Sequence, residues 1–112
     1  MSRGLLRAAI ACALLAAAPA ARSFEWVKPT KAGATVHVAA TMDEVAACEH
    51  LGVATATTAD HVLGLPRVAD VVSGELTTLA RNRAAEMGGD TVLAEGEIRH
   101  GTQTFAVYRC GG

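Results

Sequence analysis

The sequence has 112 residues, of which 51% are hydrophobic and 4% aromatic, and its ten basic and eleven acidic side chains give a formal charge of −1. That is enough chain for one small domain with a thin core. It lacks the clustered basic footprint that holds nucleic acid or an anionic surface, Arg81 and Arg83 being the only close pair of arginines.

Arg3 and Arg7 precede a nearly uninterrupted apolar run from Ala8 to Ala18, which Pro19 ends. A charged head and a short apolar middle are the pattern of a secretory signal, and the run falls short of the about 20 apolar residues that a membrane-spanning helix needs. Ala18 and Ala20 stand three and one positions before the Ala20/Ala21 bond, the small-x-small spacing of a cleavage site. The expected organisation is a signal peptide at 1–20, an irregular lead-in at 21–33 and a small envelope domain at 34–112, with no transmembrane span in the mature chain. Two alternatives stand beside it. A buried N-terminal helix would be expected to show a polar face, which this run lacks. A lipoprotein acylated at Cys12 would carry most of its apolar core before that cysteine, and here most of it follows. Processing at Ala20 leaves eight basic residues against eleven acidic ones in the periplasm or outside the cell.

Downstream, Val36 and Val38 alternate with Thr35 and His37, which predicts a strand over 34–39 with both valines inward. A turn is expected at 41–44, its acidic Asp43 and Glu44 suiting a helix start. Gly52 is expected to open a β-branched strand at 53–58. The stretch 59–72, with Gly64 and Pro66, reads as a loop. Val72, Leu76, Leu79, Ala80, Ala84 and Met87 recur at helical spacing and predict a helix from about 71–73 to 87, with Gly88 as a left-handed exit. Strands are expected at 91–99 and 104–110 around a turn at Gly101, and whether Phe105 and Val107 or Tyr108 and Cys110 point inward is open. The pattern gives an α+β fold: about four strands in an antiparallel sheet with one packed helix, in the order β-β-α-β-β.

Cys48 and Cys110 remain after processing. In an oxidising compartment an even count reads as one disulfide, and closing a loop of about 60 residues is worth roughly 4 kcal/mol by chain-entropy arithmetic. The histidines, His37, His50, His61 and His100, match no metal-ligand spacing, and the alternative of a periplasmic metal-binding module rests on their convergence in space. Asp60, His61 and Ser73 have the residue types of a nucleophilic triad without a nucleophile elbow. Glu95 and Glu97 share one strand face, so they do not oppose each other across a substrate. No catalytic constellation and no cofactor are expected.

Three segments together carry a resemblance: Cys48-Glu-His-Leu-Gly-Val53, Leu79-Ala-Arg-Asn-Arg-Ala-Ala-Glu-Met-Gly-Gly-Asp-Thr-Val92 and Ala106-Val-Tyr-Arg-Cys110. The chain resembles small bacterial envelope proteins of unknown function related to the outer-membrane lipoprotein sensor of the Rcs phosphorelay. The resemblance implies that Cys48 and Cys110 are oxidised. It also implies structural roles for Leu51, Gly52, Asn82, Gly88, Gly89 and Tyr108, the helix-end residues shaping the exit and the next strand. The expected function is a non-catalytic structural, interaction or sensing module whose partner is another envelope protein. Its expected contact surface is exposed and lies around 59–72.

Overall fold

The computed structural model describes residues 27–111. The expected signal peptide, the Ala20/Ala21 bond, Cys12 and the start of the lead-in lie outside the described residues. A 3-10 turn at Gly33–Thr35 leads into β1 (His37–Ala39), and a second at Met42–Val45 leads into β2 (Glu49–Thr57). A short hairpin, β3 (His61–Val62) and β4 (Leu65–Pro66), precedes α1 (Ala69–Glu86), and β5 (Thr91–Arg99) and β6 (Thr102–Arg109) follow. The main sheet has the order β1-β5-β6-β2, and β3–β4 stands apart from it. One helix on four strands, in the order β-β-α-β-β once the small hairpin is set aside, is the fold that the pattern predicts.

The sheet is mixed where an antiparallel one was expected. β5 pairs antiparallel with β6 and β6 with β2, but β1 runs parallel to β5, His37 lying opposite Thr91 and Ala39 opposite Leu93. The reason is the path. α1 carries the chain back across the sheet, so β5 enters beside β1 in the same direction, as a helical crossover permits and a tight turn does not. The Arg99–Thr102 corner is a two-residue turn with positive φ at His100 (49°) and Gly101 (73°), the backbone twist that hairpins favour.

Two cores lie on the two faces. Under α1, Val72, Leu76, Ala80 and Ala84 pack on Val36, Ala54, Ala56, Val92, Phe105 and Val107. On the opposite face, Ala39, Val45, Leu93, Ala106 and Tyr108 form a smaller cluster beside Cys48. The open question about the last strand is thus resolved: Phe105 and Val107 face the helix, and Tyr108 faces away. Three inward assignments change. Val38 keeps to the helix side, opposite Val92, but on the edge strand it is 42% exposed, while Ala39 is buried in the core of the other face. Leu79 and Met87 flank the helix core and are only partly buried. Leu93, two residues before Glu95, is buried in the second core.

Candidate functional site

The region expected to be a loop contains the hairpin and the first turn of α1. Val62 and Leu65 pair across Leu63 and Gly64, whose φ values of 55° and 80° make a tight turn. Leucine in that backbone region costs about 1 kcal/mol relative to an ordinary conformation, and its side chain is 95% exposed. Folding therefore gives Leu63 no burial to offset its strain. Leu65 (69%), Val68 (67%), Val62 and Val71 are exposed as well, all within one short stretch. Single exposed apolar side chains are ordinary, whereas a concentration of them marks a contact surface.

The base of this tip is firmly tied. Arg67 donates through Nη2 to Glu75 Oε2 at 2.6 Å and through Nη1 to Glu75 Oε1 at 3.0 Å and the Ala59 carbonyl at 2.9 Å. Its backbone N–H donates to the Asp60 carbonyl at 2.8 Å. Thr58 Oγ1 donates to Glu75 at 2.7 Å. The Arg67 guanidinium, with Thr58, holds the Glu75 carboxyl below the usual glutamate range. Two-pronged pairing of this kind fixes orientation as well as distance, so the apolar tip projects from a rigid base. A cleft of about 350 Å³ beside it is lined by Asp60, His61, Arg67, Ile98 and His100.

At the opposite end of the sheet Cys48 and Cys110 form a disulfide with their Cα atoms 4.4 Å apart. Cys48 is half-buried against the second core, and Cys110 is exposed. Asp90 seats this end. Its carboxylate accepts the backbone N–H groups of Cys110 and Gly111, each at 2.8 Å, and the Thr91 hydroxyl at 2.9 Å. These donors hold its carboxyl below the ordinary aspartate value. An Asp directly after a glycine pair looks like turn chemistry in sequence, and its reach to the far end of the next hairpin has no local signal.

The motif residues fall into place around this frame. Gly88 has φ 84°, and the N–H groups of Gly88 and Gly89 donate to the carbonyls of Ala85 and Ala84, closing α1 in a Schellman motif. Gly89 has no room for a Cβ, which would run into Val107 and the Tyr108 carbonyl. Leu51 and Gly52 lie inside β2 at a register shift, where Gly52 was expected to begin the strand. Leu51 packs at the margin of the helix core, and a Cβ on Gly52 would press on the Met87 methyl. Asn82 serves a different segment from the helix exit assigned to it. Its Oδ1 accepts the Thr30 N–H at 2.9 Å and its Nδ2 donates to the Lys28 carbonyl at 3.0 Å. Arg81 beside it donates to the Val36 and Ala34 carbonyls at 3.0 and 2.6 Å. The described part of the lead-in is thus clipped to α1.

A family model with the description "Domain of unknown function (DUF4156)" matches residues 27–110, a span that takes in both half-cystines, the Asn82 clip and the hairpin. The chain belongs to the DUF4156 family. No curated protein and no solved structure matches it.

In this DUF4156 domain the histidines stay dispersed. His37 lies 3.3 Å from Glu44, His61 lies 3.1 Å from Asp60, and His50 meets the Tyr108 ring edge-on with ring centres 5.2 Å apart. Among the described residues no three His, Cys, Asp or Glu side chains converge to hold a metal ion, so the convergence that the metal alternative needs does not occur there. Ser73 makes no hydrogen bond to Asp60 or His61 among the described residues. Glu44 accepts the N–H groups of Ala40 and Thr41 at 2.9 and 3.2 Å, the back-reaching half of a capping box. No helix among the described residues is long and apolar enough to cross a membrane.

Proposed function

We propose that this protein is a non-catalytic component of the bacterial cell envelope, exported by residues 1–20, that binds another envelope protein through its β3–β4 tip. The observation that carries the reading is Leu63: a fully exposed leucine in a strained turn, among Val62, Leu65, Val68 and Val71, on a base locked by Arg67 and Glu75. Rigid apolar anchors of this type lose little entropy when a partner covers them. A protein is favoured over an anionic lipid surface as the partner. Arg67 spends its charge on Glu75, Asp60 and Asp70 flank the tip, and lipid recognition of that kind draws on free Lys and Arg.

The absence of catalysis is part of the same reading. The carboxylates with shifted titration, Glu44, Asp60, Glu75 and Asp90, are engaged by backbone N–H groups, a histidine or an arginine, which is how structural carboxylates are used. The resemblance of the Cys48, Leu79–Val92 and Ala106–Cys110 segments to relatives of the Rcs sensor supports a monitoring role within the envelope. A photo-cross-linking amino acid in place of Leu63, in intact cells, is expected to capture an envelope protein. The same probe at Glu97 is expected to capture none, and Leu63→Asp should abolish co-purification of the captured protein. A domain that reaches the envelope folded and yields no adduct from position 63 would overturn the proposal.

A further inference from the structure

The two edges of the main sheet are unlike. β1 is three residues long, and a short edge is one of the devices by which proteins avoid unwanted strand pairing. β2 is nine residues long and, among the described residues, pairs only with β6. From Leu51 to Thr58 it carries no charge and no proline, and its one irregularity lies at His50–Gly52, which leaves Gly52–Thr57 regular. Along a strand, alternate residues turn their N–H and C=O groups away from the paired neighbour. Among the described residues, the outer side of β2 thus offers backbone donors and acceptors without the usual protection.

A groove of about 620 Å³ follows this edge. Its floor on the helix side is Ala54 and Ala56, both small and buried, and its far wall is Leu79, Arg83 and Glu86 of α1. The groove exists because the alanines bring α1 close to the sheet margin without filling the space beyond it. An unpaired strand edge specifies the geometry of its occupant: another extended strand. The wall carries one charge of each sign, with Arg83 Nη1 2.9 Å from Glu86 Oε1, while the regular part of the strand carries none. A surface so arranged is complementary to itself, since a copy turned about a two-fold axis can set Arg83 against Glu86 and Glu86 against Arg83.

We infer that β2 is a self-association edge, at which two copies of this chain join β2 to β2 in antiparallel fashion and fuse their four-stranded sheets into one. α1 of each copy then lies beside its equivalent, with Leu79 at the seam. This surface is separate from the β3–β4 tip, and neither reading depends on the other.

The test is sedimentation equilibrium on the oxidised protein purified as the cell processes it, together with hydrogen exchange at low and high concentration. A dimer is expected with a dissociation constant on the order of 10 µM, with protection of the 52–57 amides that rises with protein concentration. Val53→Lys combined with Thr55→Lys places cations on the exposed face of β2, away from α1, and is expected to give a monomer with unchanged circular dichroism. If that variant does not fold, the exchange data on the unaltered protein decide the matter. A monomer at about 200 µM, well above the expected constant, would overturn the inference, as would a dimer in which exchange over 52–57 does not depend on concentration. Constant protection in a monomer would mean that the chain's own upstream residues cover the edge.

Discussion

Asp90 accepts a 2.8 Å hydrogen bond from the backbone N–H of Cys110, so the closing half-cystine is positioned by the residue that follows the helix exit as well as by its sulfur bridge. Asp90→Ala leaves the N–H groups of Cys110 and Gly111 without this acceptor. Loss of charge-assisted hydrogen bonds here should cost about 1–3 kcal/mol in denaturant unfolding. A cost within error of zero would show that the disulfide alone sets this end of β6.

The pH dependence follows from the same carboxylate and from Glu75. Both titrate below their ordinary values of 3.8 and 4.5 in the folded protein, Asp90 because of the Cys110 and Gly111 N–H groups and Glu75 because of Arg67 and Thr58. The unfolded chain therefore binds these protons more readily than the folded one. Their stabilisation is complete above the ordinary values and disappears as pH falls through the lower, folded ones. Melting temperature measured from pH 6 downward should decline through this acid range, and Glu75→Gln should make the decline shallower. An identical slope in that variant would contradict the assignment.

Cys110→Ala removes a link between residues 62 apart in sequence. Chain entropy values that link at roughly 4 kcal/mol, comparable to the net stability of a small domain, about 5 kcal/mol. The reduced protein and the alanine variant should both be largely unfolded at 37 °C by circular dichroism. A cooperative melt well above that temperature would mean that the two cores suffice.

Leu76 is fully buried under the sheet, whereas Leu79 lies at the helix margin. Leu76→Ala should cost about 2–5 kcal/mol, and Leu79→Ala distinctly less. Chemical denaturation of the two variants side by side checks the order, and the reverse order would mean that α1 is rotated on the sheet.

Asn82→Ala releases the Lys28–Thr30 segment from α1. Tryptic cleavage after Lys31 should accelerate while the thermal transition moves little. Unchanged cleavage would show that Arg81, through Ala34 and Val36, holds the segment unaided.

How much of this could be read in the sequence divides by range. The helix spacing of Val72, Leu76, Ala80 and Ala84, the two strands on either side of Gly101 and the Gly88 exit are local patterns, and each appears close to where the sequence put it, although β5 buries Thr91, Val92 and Leu93 in succession instead of alternating. The pairing of β1 with β5 and the inward turn of Ala39 depend on where the chain returns after α1, which no window of residues encodes. At the candidate surface, the stretch was legible as irregular and exposed. The hairpin within it was not, because Leu63 occupies a turn position where sequence reasoning looks for Asn or Gly. Asn82 was legible as a motif residue, but its partners lie more than fifty positions upstream.

The parallel ladder between β1 and β5 also bears on how the molecule is assembled in time. His37 and Thr91 are 54 positions apart, whereas Arg99 and Thr102 close their hairpin locally. Closing a long loop has an entropic cost that local turns avoid, so β5–β6 forms early, and β1 and β2, whose pairs with that hairpin join residues 45 to 60 positions apart, dock after it. Val38→Ala should then accelerate unfolding and leave the refolding rate nearly unchanged, whereas Ala106→Gly, in the central hairpin, should slow refolding. Until β1 docks, the margin of β5 stands open, and a newly made chain passes through an interval in which its sheet has two unpaired edges.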